Sequence, residues 1–89
     1  METNIISVKY EDSYEPKTFR GKAYSYYTRK KVKVGDLVIA PTAYGEKIAR
    51  VTEINIPAYR VEMIKPYLRT IEQIIDKKAY LQMDQINVA

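Results

Sequence analysis

The stretch VKVGDLVIAPTAYGEKIARV, residues 32–51, combines apolar runs with turn residues and decides the fold. Gly35-Asp36 is typical of a turn, because glycine accepts positive φ and aspartate can hydrogen-bond its own turn through the side chain. Residues 37–40 are all apolar and lie between this turn and Pro41. They therefore predict a short buried strand that the proline ends.

The second half of this stretch predicts a longer strand that returns beside the first. Residues 42–45 form a tight connection, in which Gly45 is free to take positive φ. Residues 46–54 alternate in polarity, so Ala49 and Val51 lie on one face, while the other face carries Ile48, Arg50 and Thr52. The whole stretch thus predicts a unit of strand, turn and strand.

Two further strands are predicted on the N-terminal side. Residues 4–10 alternate as a half-buried strand, and the polar residues 11–16 form a loop that ends in proline. Residues 22–28 are rich in tyrosine and predict the second strand. Residues 32–34 continue the alternation after the basic triplet 29–31, which has the character of a hairpin tip or a bulge.

The C-terminal side is less regular. Residues 55–66 contain two prolines and predict an irregular excursion, with room for one helical turn within 58–64. Residues 68–75 fit a helix by period and a strand by composition. Residues 76–86 predict a short helix capped by Asp76, whose apolar positions are Ala79, Tyr80, Met83 and Ile86. This helix either packs across the core, which is favoured, or projects as an oligomerisation element.

These elements predict the fold class. Five short strands with tight turns and one terminal helix are typical of a mainly β domain, a small five-stranded barrel of the SH3-like or OB-like kind. The 89 residues are enough for one such domain, which spans residues 1–89. A sandwich would need more strands.

The composition excludes several classes of function. The chain has no Cys and no His, which excludes a disulfide, a structural zinc site and every His-based catalytic pair. Its carboxylates are scattered singly, and its three glycines lack phosphate-loop spacing. We therefore expect a protein that is not an enzyme and has no metal or cofactor. No apolar run is long enough to span a bilayer and no signal peptide is visible, which favours a cytoplasmic location without membrane contact.

The positive charge is concentrated in one segment. Residues 17–35 hold seven Lys or Arg, no Asp or Glu, and four aromatic side chains. The rest of the chain has eight basic and 11 acidic residues, so this segment accounts for the net charge of +4. Nine tyrosines against one phenylalanine fit either half-buried rings with wet hydroxyls or a face that stacks on a ligand.

Aromatic rings beside cations predict a nucleic-acid interface, because bases stack on the rings and phosphates pair with the charges. Alternation places Lys22, Tyr24 and Tyr26 on one face of their strand, and Tyr27 on the other. The candidate contacts for single-stranded DNA are Arg20, Lys22, Tyr24, Tyr27, Arg29, Lys30, Lys31, Lys47 and Arg50. The last two extend the basic surface, since their strand is expected beside residues 37–40.

Two alternatives remain open for the same segment. A host or replication protein is the alternative partner, with the chain acting as an interaction or inhibitor protein through its tyrosines and arginines. The other alternative is that residues 29–31 are a solvated tip and the tyrosines are core, since lysines on strands also prevent aggregation at sheet edges.

The order of these motifs resembles a known family. The segments that carry the resemblance are, in order, Tyr24-x-Tyr26, residues 34–41, residues 48–51 and residues 68–76. Their order resembles that of the strands in the N-terminal DNA-binding domain of the primosomal replication-restart helicase. The resemblance covers roughly residues 22–80 and implies a permuted OB-like barrel that holds the 3′ end of a DNA strand. It favours a strand for residues 68–75.

The chain departs from that family at one turn. The family's Phe-Gly-x-Arg turn corresponds to residues 42–47, TAYGEK, which lack the arginine. The helicase motor is absent from these 89 residues. A free-standing domain of this pattern also resembles short proteins of bacteriophages and mobile elements.

Overall fold

The computed structural model of the chain describes residues 3–80. Six strands form the structure, and two short 3₁₀ turns lie between the fourth and fifth of them. The strands are β1 (Asn4–Glu11), β2 (Phe19–Thr28), β3 (Leu37–Thr42), β4 (Gly45–Glu53), β5 (Thr70–Ile71) and β6 (Gln73–Ile75). The 3₁₀ turns are Ala58–Val61 and Lys65–Tyr67, and residues 77–80 form a helical turn, α1. No helix in this part of the chain is long and apolar enough to cross a membrane.

The six strands form one mixed sheet in the order β5-β2-β1-β4-β3-β6. Neighbours are antiparallel except for β2 and β5, which run parallel. The mainly β class is therefore confirmed. The five-stranded barrel is not confirmed, because the sheet has six strands and its hydrogen-bonded ladder is open between β5 and β6. These two edge strands are separated in sequence by Glu72 alone.

The main core lies on one face of the sheet. Its buried side chains come from five strands and are Ile6, Val8, Tyr26, Val38, Ala40, Ala49, Val51 and Ile71. The alternation predicted for β4 is confirmed, since Ala49 and Val51 are buried while Arg50 is exposed. A smaller cluster on the other face joins Ile5 to the 3₁₀ excursion and contains Ile56, Val61, Tyr27 and Leu68. Residues 5–8 of β1 are consequently buried on both faces of the sheet, rather than on one face as predicted.

The basic triplet 29–31 is not a hairpin tip, and residues 32–34 are not a strand. Strands β2 and β3 do not pair, because β1 and β4 lie between them in the sheet. Residues 29–36 are the crossover connection. The Asp36 carboxylate accepts from the backbone N–H of Lys33 (3.0 Å), and the Asp36 N–H donates to the Lys33 carbonyl (3.0 Å). These bonds confirm the predicted turn at Gly35-Asp36. The residues before it, 32–34, form part of this turn and connection rather than a strand.

Pro41 does not end its strand, contrary to the sequence prediction. It pairs with Glu46 within β3, and the ladder continues to the Thr42–Gly45 pair. Strand β6 covers only residues 37–39 of β3, so Pro41 lies where β3 has no second neighbour and the missing N–H is tolerated. The tight connection at Gly45 is confirmed, with φ at 118°.

The C-terminal part resolves the ambiguity between helix and strand. Residues 70–71 and 73–75 are strands, as the family resemblance favoured. The Asp76 carboxylate then accepts from the backbone N–H groups of Lys78 (3.0 Å) and Ala79 (3.2 Å), which confirms the predicted N-cap. The predicted positions Met83 and Ile86, with the question of how that helix packs, lie outside the described residues.

Candidate nucleic-acid interface

The first predicted contact, Arg20, is held by carboxylates. Its Nε lies 3.2 Å from Asp12 Oδ2, and its terminal nitrogen donates to Glu15. Both acids belong to the loop between β1 and β2, which the sequence places just before the acid-free segment. The loop folds back because the Asp12 N–H donates to the Thr18 carbonyl (2.7 Å). The positive charge of Arg20 is therefore compensated.

The predicted residues on β2 do not form one surface. A ten-residue strand is about 30 Å long, so Arg20 and residues 29–31 lie at opposite ends. Tyr24 opposes Val8 on the main core face, whereas Tyr27 packs in the smaller cluster on the other face. Lys22 and Lys31 are exposed and line neither of the cavities described below. The predicted basic residues are therefore not grouped on one surface, although DNA contact by these residues stays a prediction.

The two predicted residues on β4 also point to different faces. Lys47 shares the face of Ala49, and its Nζ lies 5.4 Å from the ring centroid of Tyr10. Arg50 lies on the outer face, where its Cζ is 5.2 Å from the ring centroid of Phe19. Strand β4 does pair with β3, as expected. Period-two alternation explains the separation, because three residues change the face.

Tyr24 lines a cavity of about 320 Å³ at the rim of the main core, which we call the aromatic groove, and Lys47 lies over the ring of Tyr10, which also lines it. It is lined by tyrosines from β1, β2 and the second 3₁₀ turn, with the side chains Tyr10, Tyr24, Tyr26, Ile64, Tyr67 and Arg69. The rings of Tyr10 and Tyr24 stack with centroids 4.8 Å apart and planes at 15°. Tyr24 is 44% exposed and Tyr67 is 80% exposed, so both offer aromatic surface to a ligand.

Hydrogen bonds hold the Tyr10 ring in place below this groove. The Tyr26 hydroxyl donates to the Pro41 carbonyl at 2.8 Å, and the two hydroxyl oxygens of Tyr10 and Tyr26 are 2.5 Å apart. A phenol has one proton, so Tyr10 must donate to Tyr26. Burial, followed by the hydrogen bond with Tyr10, raises the pKa of Tyr26. The Tyr26 hydroxyl stays protonated at neutral pH, and the Tyr10–Tyr24 stack is preorganised.

The aromatic groove is positively charged. Arg69 is among the lining residues and Lys47 lies over Tyr10, whereas no described lining residue is Asp or Glu. Rings with bound cations and free faces suit planar, anionic ligands. The arrangement provides stacking and charge, but no general base or nucleophile.

A second and larger cavity, of about 790 Å³, lies where β2 ends, and we call it the basic pocket. Three predicted contacts line it, Tyr27, Arg29 and Lys30, together with Thr3, Thr70, Ile71 and Glu72. The buried Thr28 hydroxyl donates to the Ile71 carbonyl (2.8 Å) and accepts from the Lys30 N–H (3.1 Å). These bonds determine where the basic residues leave the strand.

The sequence prediction included only Tyr24 among the residues that line the aromatic groove and missed, among others, Tyr10, Tyr67 and Arg69. Tyr10 had a signal, because it alternates with Ile6 and Val8 and must face the core side. Tyr67 and Arg69 had none, since they follow an irregular excursion more than 40 residues after Tyr24 in the chain. Only the parallel pairing of β5 with β2 brings them to the groove.

Comparisons of the chain with protein-family models, curated proteins and solved structures find no match. The likeness to the helicase domain thus rests on the sequence motifs alone. Within residues 3–80, no group of three or more acidic, Cys or His side chains is placed to hold a metal ion.

Proposed function

We propose that this chain is a small non-enzymatic module that binds single-stranded DNA, with bases in the aromatic groove and phosphates on the neighbouring cations. The observation that carries the proposal is the Tyr10–Tyr24 stack with Lys47 over Tyr10 and Arg69 in the same groove, whose described lining residues include no Asp or Glu. The order of motifs shared with the helicase DNA-binding domain supports the same class of ligand.

The physical case favours a single strand over a duplex. Base faces are free to meet a tyrosine only when the bases are not already stacked in a double helix, and each stack contributes about 1–3 kcal/mol. Cations then add a salt-dependent attraction to phosphates. With Tyr24 and Tyr67 both exposed in one groove, two bases have a platform. We place this role in the cytoplasm, in replication or in a bacteriophage-encoded function, with no cofactor.

Binding of a fluorescent oligothymidylate at about 50 and about 200 mM salt tests the proposal. We expect affinity that falls with salt, and a further loss of about 5- to 150-fold in Tyr67→Leu, equivalent to one lost stack. Tyr59→Leu is the matched control, because Tyr59 is similarly exposed (77%) but does not line the groove. Absence of binding at low salt, or equal losses in both variants, would contradict the proposal.

A protein partner is the second candidate, and one observation favours it. The excursion between β4 and β5 exposes large apolar side chains, with Met63 91% exposed near Tyr59 and Ile64. The excursion is held to the sheet by Arg60, which donates to Glu53 and lowers the pKa of that carboxyl. The test is a pull-down from nuclease-treated cell extract. A replication protein that the wild type captures and Met63→Ser does not would support this candidate, whereas a protein whose capture is lost on nuclease treatment would contradict it.

A further inference from the structure

We propose that the basic pocket is a second subsite for the same ligand and takes the phosphodiester backbone of the strand whose bases occupy the aromatic groove. This inference rests on the proposed function and adds the path and minimum length of the ligand. It also gives a role to Arg29 and Lys30, which the sequence placed on the same surface as Arg20.

The first argument is that the same two segments of the chain line both cavities. Strand β2 contributes Tyr24 to the groove and Tyr27 to the pocket. The second segment contributes Arg69 to the groove and Thr70 to the pocket. The Tyr27 N–H donates to the Arg69 carbonyl at 2.9 Å, and Tyr27 pairs with Thr70 in the parallel ladder. Because Tyr24 and Tyr27 face opposite sides of β2, a ligand passes from the groove to the pocket over the exposed edge segment at Arg69 and Thr70.

The second argument is charge. Arg29 and Lys30 are exposed, and neither pairs with a carboxylate within the described residues, in contrast to Arg20. Glu72 also lines the pocket, which leaves one net positive charge for an anion. A guanidinium and an ammonium close together on one rim suit the successive phosphates of a backbone.

The third argument is length. Tyr24 and Thr28 are four residues apart on β2, which is about 13 Å. A stacked strand advances by about 3.4 Å per nucleotide. At least about four nucleotides are thus needed before a strand anchored at Tyr24 reaches Arg29 and Lys30, and a trinucleotide fills the groove alone.

The experiment compares a thymidine trinucleotide with a dodecanucleotide on the full chain and on the double variant Arg29→Gln/Lys30→Gln. We expect the variant to bind the trinucleotide like the wild type and the dodecanucleotide more weakly. The slope of log K against log salt for the dodecanucleotide should flatten by about 1.4, twice the value of about 0.7 per phosphate contact. Arg20→Gln/Lys22→Gln removes two charges from the other end of β2 and is the matched control.

The outcomes separate the two proposals. Unchanged dodecanucleotide binding and slope in Arg29→Gln/Lys30→Gln, or an equal loss in the control variant, would overturn the subsite while the groove and the function stand. An equal loss for both oligonucleotides in the double variant would overturn it as well. Failure of the wild type to bind either oligonucleotide would overturn the proposed function itself. Trinucleotide binding by the double variant also reports that the variant is folded.

Discussion

Replacing Tyr26 by phenylalanine tests how the aromatic groove is held. The Tyr26 ring is 4% exposed, so the change removes the hydroxyl without opening a cavity. That hydroxyl donates to the Pro41 carbonyl and accepts from Tyr10, and it thereby joins β1, β2 and β3. Without it, the Pro41 carbonyl loses its donor and Tyr10 loses its anchor.

The magnitude follows from the burial of the partners. A buried acceptor left without a donor costs about 1–3 kcal/mol, and Pro41 is half-buried, so we expect Tyr26→Phe to cost about 1–2 kcal/mol. For a chain of this size each kcal/mol lowers Tm by about 4–8 °C. Tyr10→Phe leaves the bond from Tyr26 to Pro41 intact and should cost less. The double variant should cost about as much as Tyr26→Phe, because both changes remove the same bond.

The pH dependence of stability gives an independent check. The pKa of Tyr26 is raised in the folded state above its ordinary value of 10.0, so the neutral hydroxyl stabilises the fold fully below that value. This contribution is lost as pH rises from 10.0 through the folded pKa. Wild type should therefore lose stability above pH 10 more steeply than Tyr26→Phe, as measured by thermal or urea unfolding. If Tyr10→Phe proves costlier than Tyr26→Phe, or the alkaline slopes coincide, the assigned hydrogen bonds are wrong.

Two further variants test local bonds. Thr28→Val removes the buried hydroxyl that donates to the Ile71 carbonyl and accepts from the Lys30 N–H. We expect the free energy of unfolding in urea to fall by about 1–3 kcal/mol, whereas Thr28→Ser should retain most of it. If Thr28→Val left the free energy of unfolding unchanged, the Thr28 hydroxyl would not have the stabilising role assigned to it. Asp76→Ala removes the cap of α1 and should cost about 1 kcal/mol, with a weaker helical circular dichroism signal, whereas Asp76→Asn restores the cap. Equal signals from these two variants would argue against capping.

The candidate site was predictable only in part. Rings and cations do occur close together, because Tyr24 lines the groove and Lys47 lies over the neighbouring ring of Tyr10, although their role as ligand contacts stays a prediction. Their grouping was wrong in space. Arg20 could not be recognised as neutralised, since Asp12 and Glu15 lie outside the segment and reach it only through the fold of the loop.

The sequence by itself determined the features that depend on neighbouring residues. Period-two alternation predicted β1 and β4, and the two glycines predicted the turns at Gly35 and Gly45, where φ is positive. The short carboxylate of Asp76 predicted the helix cap. Backbone sterics and side-chain reach act over a few residues, so these features can be read locally.

Apart from the hairpin of β3 and β4, only the tertiary structure decided which strands became neighbours. It placed β1 and β4 between β2 and β3, and it brought Tyr67 and Arg69 beside Tyr24. Strand pairing depends on which apolar faces can be buried together across the whole chain, and that is a property of the assembled core rather than of any local pattern.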